Sequence, residues 1–298
     1  MSALRREDRL QLLLRFGYDG ADFYGVPNQP HGATVQSALT ARLAAAAGQP
    51  PKALCFAART DQGVHALANY ATCWLPPGTV EDDALPALLA AIEADRPDGL
   101  VAVEARRAGF HTHARALGVG KRYRYRLVGD RPDEALDLAS LPRPRPGRPA
   151  PRPAPPVWRT WQVAPPLDLE AMRAAAALLV GAHDFRAFAS GPFGDQPTTR
   201  RVHQLTVTPA EGPQGPHLVV EVLGDGFLRN MVRVIVGSLA EVGAGLRPPA
   251  QLLEPLGSGL RDDAGMTAPA RALTLVDLLG VEPPDGGAPW APRVDPAA

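Results

Sequence analysis

The chain has 298 residues, 45% hydrophobic and 21% charged, with 31 basic and 31 acidic side chains and no net charge. That supplies core for one large domain or two moderate ones, and excludes the biased compositions of disordered or fibrous chains. No apolar run reaches the length of a membrane span, and MSALRREDRL lacks the apolar stretch of a secretion signal, so a cytoplasmic protein without a membrane partner is expected.

Leu10 to Tyr18 reads as a strand, its leucines and Phe16 interleaved with Gln11, Arg15 and Gly17. Val35 to Ala47, rich in Ala and Leu, reads as a helix. Leu54 to Ala58 and Asn69 to Trp74 read as short strands joined by the turn-like segment RTDQGVHAL. Cys55 and Cys73 fall within these strands. They have neither zinc spacing nor the count of a disulfide framework, and read as small buried hydrophobes. A second helix covers Ala84 to Ala94, and Leu100 to Ala105 and Arg122 to Val128 are strand-like.

Leu141 to Pro156, LPRPRPGRPAPRPAPP, is half proline and reads as an exposed, extended connector. Beyond it come a helix from Leu167 to Val180, strands from Arg201 to Thr208 and Leu218 to Leu223, and an apolar helix from Phe227 to Val242. A shorter helix and a strand from Leu273 to Leu279 follow, and after Glu282 the Pro/Gly-rich chain is expected to fray. The pattern predicts an α/β (α+β) fold of two similar units, residues 1–130 and 166–282. Residues 131–165 connect them, 283–298 form a tail, and a cleft lies between the units.

Three clusters carry candidate chemistry. The densest is Ala58-Arg59-Thr60-Asp61-Gln62-Gly63-Val64-His65-Ala66. Taken alone, Thr-Asp-x-Gly is turn chemistry, since Asp bonds nearby amides and Gly takes a positive φ. Two features raise a functional reading: Asp61 ends an apolar strand, and Arg59 stands two residues before it. His65 reads as a structural hydrogen-bonding residue. The second cluster runs from Gly224-Asp225-Gly226 through Arg229 and Arg233. It lacks the third glycine of a dinucleotide site and the Lys-Ser/Thr pair of a P-loop, so a nucleotide-dependent enzyme finds little support. In the helix that follows, Leu228, Met231, Val232, Ile235, Leu239 and Val242 form one stripe, with Arg229 and Arg233 at its edge. An arginine flanked by valines calls for a carboxylate or phosphate partner, or snorkels its head into water.

The third cluster is His113-Ala114-Arg115 with Lys121-Arg122-Tyr123-Arg124-Tyr125. From Ala105 to Arg126 there are seven Arg or Lys and no acidic residue. Such a block is a solvated face or a phosphate track, and basic groups beside rings suit a nucleic-acid cleft. On a strand, Tyr123 and Tyr125 would face one way and Arg122, Arg124 and Arg126 the other. His111 and His113 have no acidic or Cys ligand near them in sequence, so no metal is expected there.

In this order, the clusters resemble the TruA family of tRNA pseudouridine synthases, over about Leu10 to Leu279. The most specific motif is Arg59-Thr60-Asp61-x-Gly63-Val64-His65-Ala66. Tyr18-Asp19-Gly20, Thr34-Val35-Gln36, His113-Ala114-Arg115, Lys121-x-Tyr123-x-Tyr125, His183-Asp184-Phe185, Met231-Val232-Arg233-x-Ile235-Val236-Gly237 and Ala268-Pro269-Ala270 support it. The resemblance implies an isomerase that forms pseudouridine at positions 38, 39 and 40 of the tRNA anticodon stem-loop. It also implies a homodimer without metal or organic cofactor, with antiparallel-rich sheets and helices around a central basic cleft. By the motif match Asp61 is the nucleophile, Arg233 its ion-pair partner, Arg59 the residue that helps extrude the base and Tyr123 the ring packed on it. His113, Arg115, Lys121, Arg229 and Leu273 are carried over as substrate contacts. The family favours Gly where Ala58 stands, Gly-Trp-Gln where Gly25-Val26-Pro27 stands, Phe for Thr112 and Gly for Ala272. A catalytically inactive tRNA-binding protein of the same fold would be expected to lose the reactive positions, and Arg59, Asp61, Tyr123 and Arg233 are all present.

Overall fold

The computed structural model describes residues 10–76, 82–110, 112–129, 136–137, 159–164, 166–212, 215–281, 290, 291 and 293. The proline-rich segment 141–156 lies outside these residues, as does His111. The chain divides into two compact units, Met1–Val119 with Leu275–Asp295, and Gly120–Thr274 with Pro296–Ala298. The first boundary therefore precedes residue 130, and the strand carrying Tyr123 belongs to the second unit.

In the first unit, β1 (Leu10–Tyr18) is buried along nearly its whole length and has a strand on each edge. Antiparallel β3 (His65–Leu75) lies on one side, with Leu12 opposite Cys73, and β4 (Leu100–Arg107) on the other, with Leu14 opposite Ala105. β2 (Lys52–Phe56) pairs with β3 through Cys55 and Thr72, and β11 (Leu273–Leu279), which enters this unit from Leu275 on, also neighbours β3. Helix α1 (Val35–Ala47) opens on a capping box between Thr34 and Ser37 and closes on Gly48 in the left-handed region. It packs against α2 (Leu85–Glu93), which covers β4.

Arg15 departs from strand alternation. It is 1% exposed, with Glu104 at 3.4 Å, Asp277 at 3.8 Å and the Ala291 carbonyl at 2.6 Å. Two carboxylates and a carbonyl compensate the buried guanidinium. Part of the segment expected to fray is thus tied down: Trp290 lies 5.3 Å from the Tyr70 ring and under the Arg106 guanidinium, and Arg293 donates to the Leu67 carbonyl.

In the second unit, β5 (Gly120–Gly129), β10 (Gly215–Gly224), β9 (Thr199–Gly212) and β8 (Gly181–Asp184) follow one another in an antiparallel sheet. Beyond β5 lie parallel β7 (Trp161–Ala164) and β6 (Leu136–Asp137). Helix α3 (Leu169–Leu178) packs on β9 and on α4 (Met231–Gly243), and α5 (Leu253–Ser258) follows. The sequence pattern placed the start of α4 at Phe227. Asn230 takes φ 62° and interrupts the helix there, a conformation Asn tolerates better than most residues.

Residues 264–269 run along α4. A β-carbon on Gly237 would stand 1.9 Å from the Met266 carbonyl oxygen, and Ser238 Oγ accepts from the Gly265 amide at 2.9 Å. Gly237→Ala is therefore expected to force this backbone off the helix and to destabilise the protein by about 1–3 kcal/mol, the usual cost of overpacking. Urea denaturation checks it: an unchanged midpoint would show that the segment gives way freely.

Candidate active site

Asp61 sits between β2 and β3, half-buried, with Arg59 exposed and Thr60 buried beside it. The Val64 amide donates to the Asp61 carbonyl at 3.2 Å, and Gly63 carries φ 81° at the third position of that turn. Only residues at ease with positive φ fit there, which explains the Asp-x-Gly spacing.

Both flanks of the turn are pinned. Asn69, fully buried in β3, donates to the Ala58 carbonyl at 2.9 Å, and its Oδ1 accepts from the Ala58 amide at 3.2 Å. Its Nδ2 also reaches the Tyr18 hydroxyl at 3.3 Å, which is hydrogen-bonded to Thr60 Oγ1 at 2.9 Å. Burial pushes the Tyr18 phenol up to about 12, so this network stays uncharged. The Val26 amide donates to the Thr60 carbonyl, while the first free amides of α1, from Val35 and Gln36, donate to the carbonyls of Gly25 and Val26. On the far side, a β-carbon on Gly20 would meet the Val64 carbonyl oxygen at 2.2 Å. His65 Nδ1 accepts from the Gly20 amide at 3.1 Å. Asp19 Oδ1 stands 3.0 Å from the same nitrogen. His65 is thus occupied in fixing the loop. Tyr18 and Gly20 belong to the Tyr-Asp-Gly motif, whereas Asn69 is a support that no motif singled out, because it acts through contacts distant in sequence.

Arg59 and Arg115 line a pocket of about 160 Å³ together with Val26, Pro27 and Gln36. Ala114 is held by its amide donating to Thr72 Oγ1 at 3.2 Å. His113 Nδ1 accepts from the Arg115 amide at 3.3 Å, and its Nε2 lies 3.7 Å from Cys55 Sγ. Cys55 and Cys73 are both free thiols, and burial raises the Cys73 thiol to about 12. Among the described residues, no group of three or more His, Cys, Asp or Glu is placed to hold a metal ion, and no helix is long and apolar enough to cross a membrane.

Asp61, Arg59, His113 and Arg115 stand in the first unit; Tyr123, Lys121, Arg229, Arg233 and Leu273 stand in the second. Arg233 donates from Nε to the Ala268 carbonyl and from NH1 to Asn230 Oδ1, both at 2.7 Å. Asn230 in turn donates to Ser190 Oγ at 3.0 Å, so its unusual backbone and its amide together aim the guanidinium. Tyr123 is 7% exposed and meets the Phe227 ring edge-on at 5.3 Å. Leu273 is buried, Lys121 half-buried and Arg229 exposed. The basic block is more divided than strand alternation predicts: Arg124 pairs with Glu221 at 2.9 Å, and Arg126 is only 4% exposed.

A tRNA pseudouridine synthase family model matches residues 175–278. A tRNA pseudouridine synthase A of Syntrophotalea carbinolica is 36% identical over 264 residues, which cover 88% of this chain and 92% of that one. The chain belongs to this family. The enzymes of the same description from Geotalea uraniireducens and Myxococcus xanthus are 35% and 33% identical, over 90% and 94% of this chain and 99% and 95% of theirs. The mixed fold with its mostly antiparallel sheets agrees with that membership. Three departures from the family pattern acquire a location: Val26 and Pro27 line the pocket of Arg59 and Arg115, and Thr112 lines a larger one nearby.

Proposed function

We propose that this chain converts uridine to pseudouridine at positions 38, 39 and 40 of the tRNA anticodon stem-loop, with Asp61 as covalent nucleophile. Family membership carries the coarser statement: the chain is an isomerase, a tRNA pseudouridine synthase. The observation that supports the finer one is the mounting of Asp61. A half-buried carboxylate stands on a turn fixed by Asn69, Tyr18 and Gly20, beside the exposed Arg59.

The reaction breaks the N1–C1′ bond and forms a C5–C1′ bond. C5 loses its hydrogen as a proton and N1 gains one, so atoms and electrons balance without an oxidant, a reductant or an energy source. What the protein must supply is a nucleophile, a place to hold the detached uracil while it turns, and a route for the proton. Asp61 serves as nucleophile, by attack on either C1′ or C6. Arg233 is its proposed ion-pair partner, a role carried by the family resemblance. The target base must leave the stack, at a cost of a few kcal/mol. Arg59 assists that step, and Tyr123 packs on the extruded base. His113, Arg115, Lys121, Arg229 and Leu273 contact the RNA around it.

Because C5–H is always lost, tritium release from an anticodon stem-loop with 5-tritiated uridines tests the reading. The purified protein is expected to release tritium without added metal or cofactor. A folded protein that binds this RNA and releases none would overturn it. We also place the enzyme in the cytoplasm as a homodimer; light scattering at micromolar concentration should give twice the 31.5 kDa chain mass, and a monomer there contradicts the dimer.

A further inference from the structure

The larger pocket of the first unit, about 480 Å³, is lined by Gln11, Trp74, Phe110, Thr112 and His113 among others, and by no residue of the Asp61 turn. We propose that it is a second nucleotide subsite, taking an unpaired base of the anticodon loop other than the target uridine, with the adjoining phosphate on Arg115 and Arg59. The inference rests on the RNA substrate proposed above.

Three independent features point to this ligand. The first is an aromatic wall. Trp74 and Phe110 meet at 5.1 Å and 61°, and Phe110 is left 38% exposed, a large apolar ring that a stacked base would cover. The second is Gln11. It is 5% exposed, and its Nε2 donates to the Thr112 carbonyl at 2.5 Å, which fixes the orientation of the amide. Its Oε1 has no hydrogen-bond partner among the described residues. A buried acceptor left unpaired is costly, and an N–H on a base edge is the donor it lacks. The third is charge. The pocket shares Leu54 and Cys55 with the smaller one that Arg59 and Arg115 line. Both arginines are exposed, and among the described residues neither is engaged in an ion pair. A ring wall, an unfilled acceptor and two unpaired guanidiniums next door match the base, the base edge and the phosphate of one nucleotide.

The test is filter binding of anticodon stem-loops carrying an abasic site at each unpaired loop position in turn, to wild type and to Trp74→Leu. One abasic position is expected to weaken wild-type binding about tenfold, the scale of one lost stacking contact. Trp74→Leu should weaken binding of the intact RNA about as much and show no further loss at that position. Unchanged affinity of folded Trp74→Leu, or losses that multiply at every position, overturns the subsite. Should Trp74→Leu melt early, Gln11→Leu carries the same comparison with the same two outcomes. Tritium release by wild type on the intact RNA is measured alongside. Its absence contradicts the modification reading, whereas normal release with insensitive variants contradicts the subsite alone.

Discussion

Asp61→Asn is expected to give a folded protein that binds tRNA and makes no pseudouridine. Asp61 is the only acidic residue between Lys52 and Val80, and it stands on a turn whose fixed points are other groups: the Ala58 backbone, Thr60 Oγ1, and Gly20 against Val64. The Asp61 backbone carbonyl accepts from the Val64 amide to close the turn. Asparagine preserves size and hydrogen bonding while removing the attacking charge. Turnover should fall by roughly 10⁴-fold or more, the scale seen when an enzyme loses its nucleophile. Affinity depends on basic and aromatic groups elsewhere and should stay within about tenfold. A carboxylate with a purely structural role gives another pattern, a lower melting temperature with binding and activity declining together. Tritium release and filter binding on one preparation separate the two.

Arg233→Met should lower turnover by about a hundredfold or more while changing tRNA affinity little. The guanidinium is anchored by the Ala268 carbonyl and by Asn230, whose left-handed backbone stops α4 from starting earlier. Methionine keeps the unbranched stem beside Val232 and Val234, so the buried face of α4 is maintained. The loss should appear in the single-turnover rate at saturating enzyme, because the proposed role is in the chemical step and not in RNA binding. Weakened binding with a full single-turnover rate would make Arg233 a phosphate contact instead.

Much of the fold was legible in the sequence wherever the signal is local. The limits of β1, α1 and β11 follow from apolar runs and caps: Thr34 and Gly48 bound α1 where composition places its ends. Short β7 and β8 were not read, because four residues are too few to show alternation. The start of α4 was misplaced because Asn230 looks like any helix-compatible residue until its φ is seen. Arg15 reads as a strand's polar face, and its burial depends on Glu104 and Asp277, which no local pattern connects to it. In the candidate site, the Arg-Thr-Asp-x-Gly spacing is visible because a turn imposes it. Asn69 is invisible for the opposite reason, since the hydrogen bonds that aim the turn join residues far apart in sequence.

The position of the product tests the proposed function most directly. Unmodified tRNAs bearing uridine at 38, 39 or 40 can be incubated with the pure wild-type protein and mapped for pseudouridine nucleotide by nucleotide. Pseudouridine is expected at those positions, with the rest of each tRNA unmodified. Pseudouridine outside the anticodon stem-loop, with none at these three positions, would contradict it.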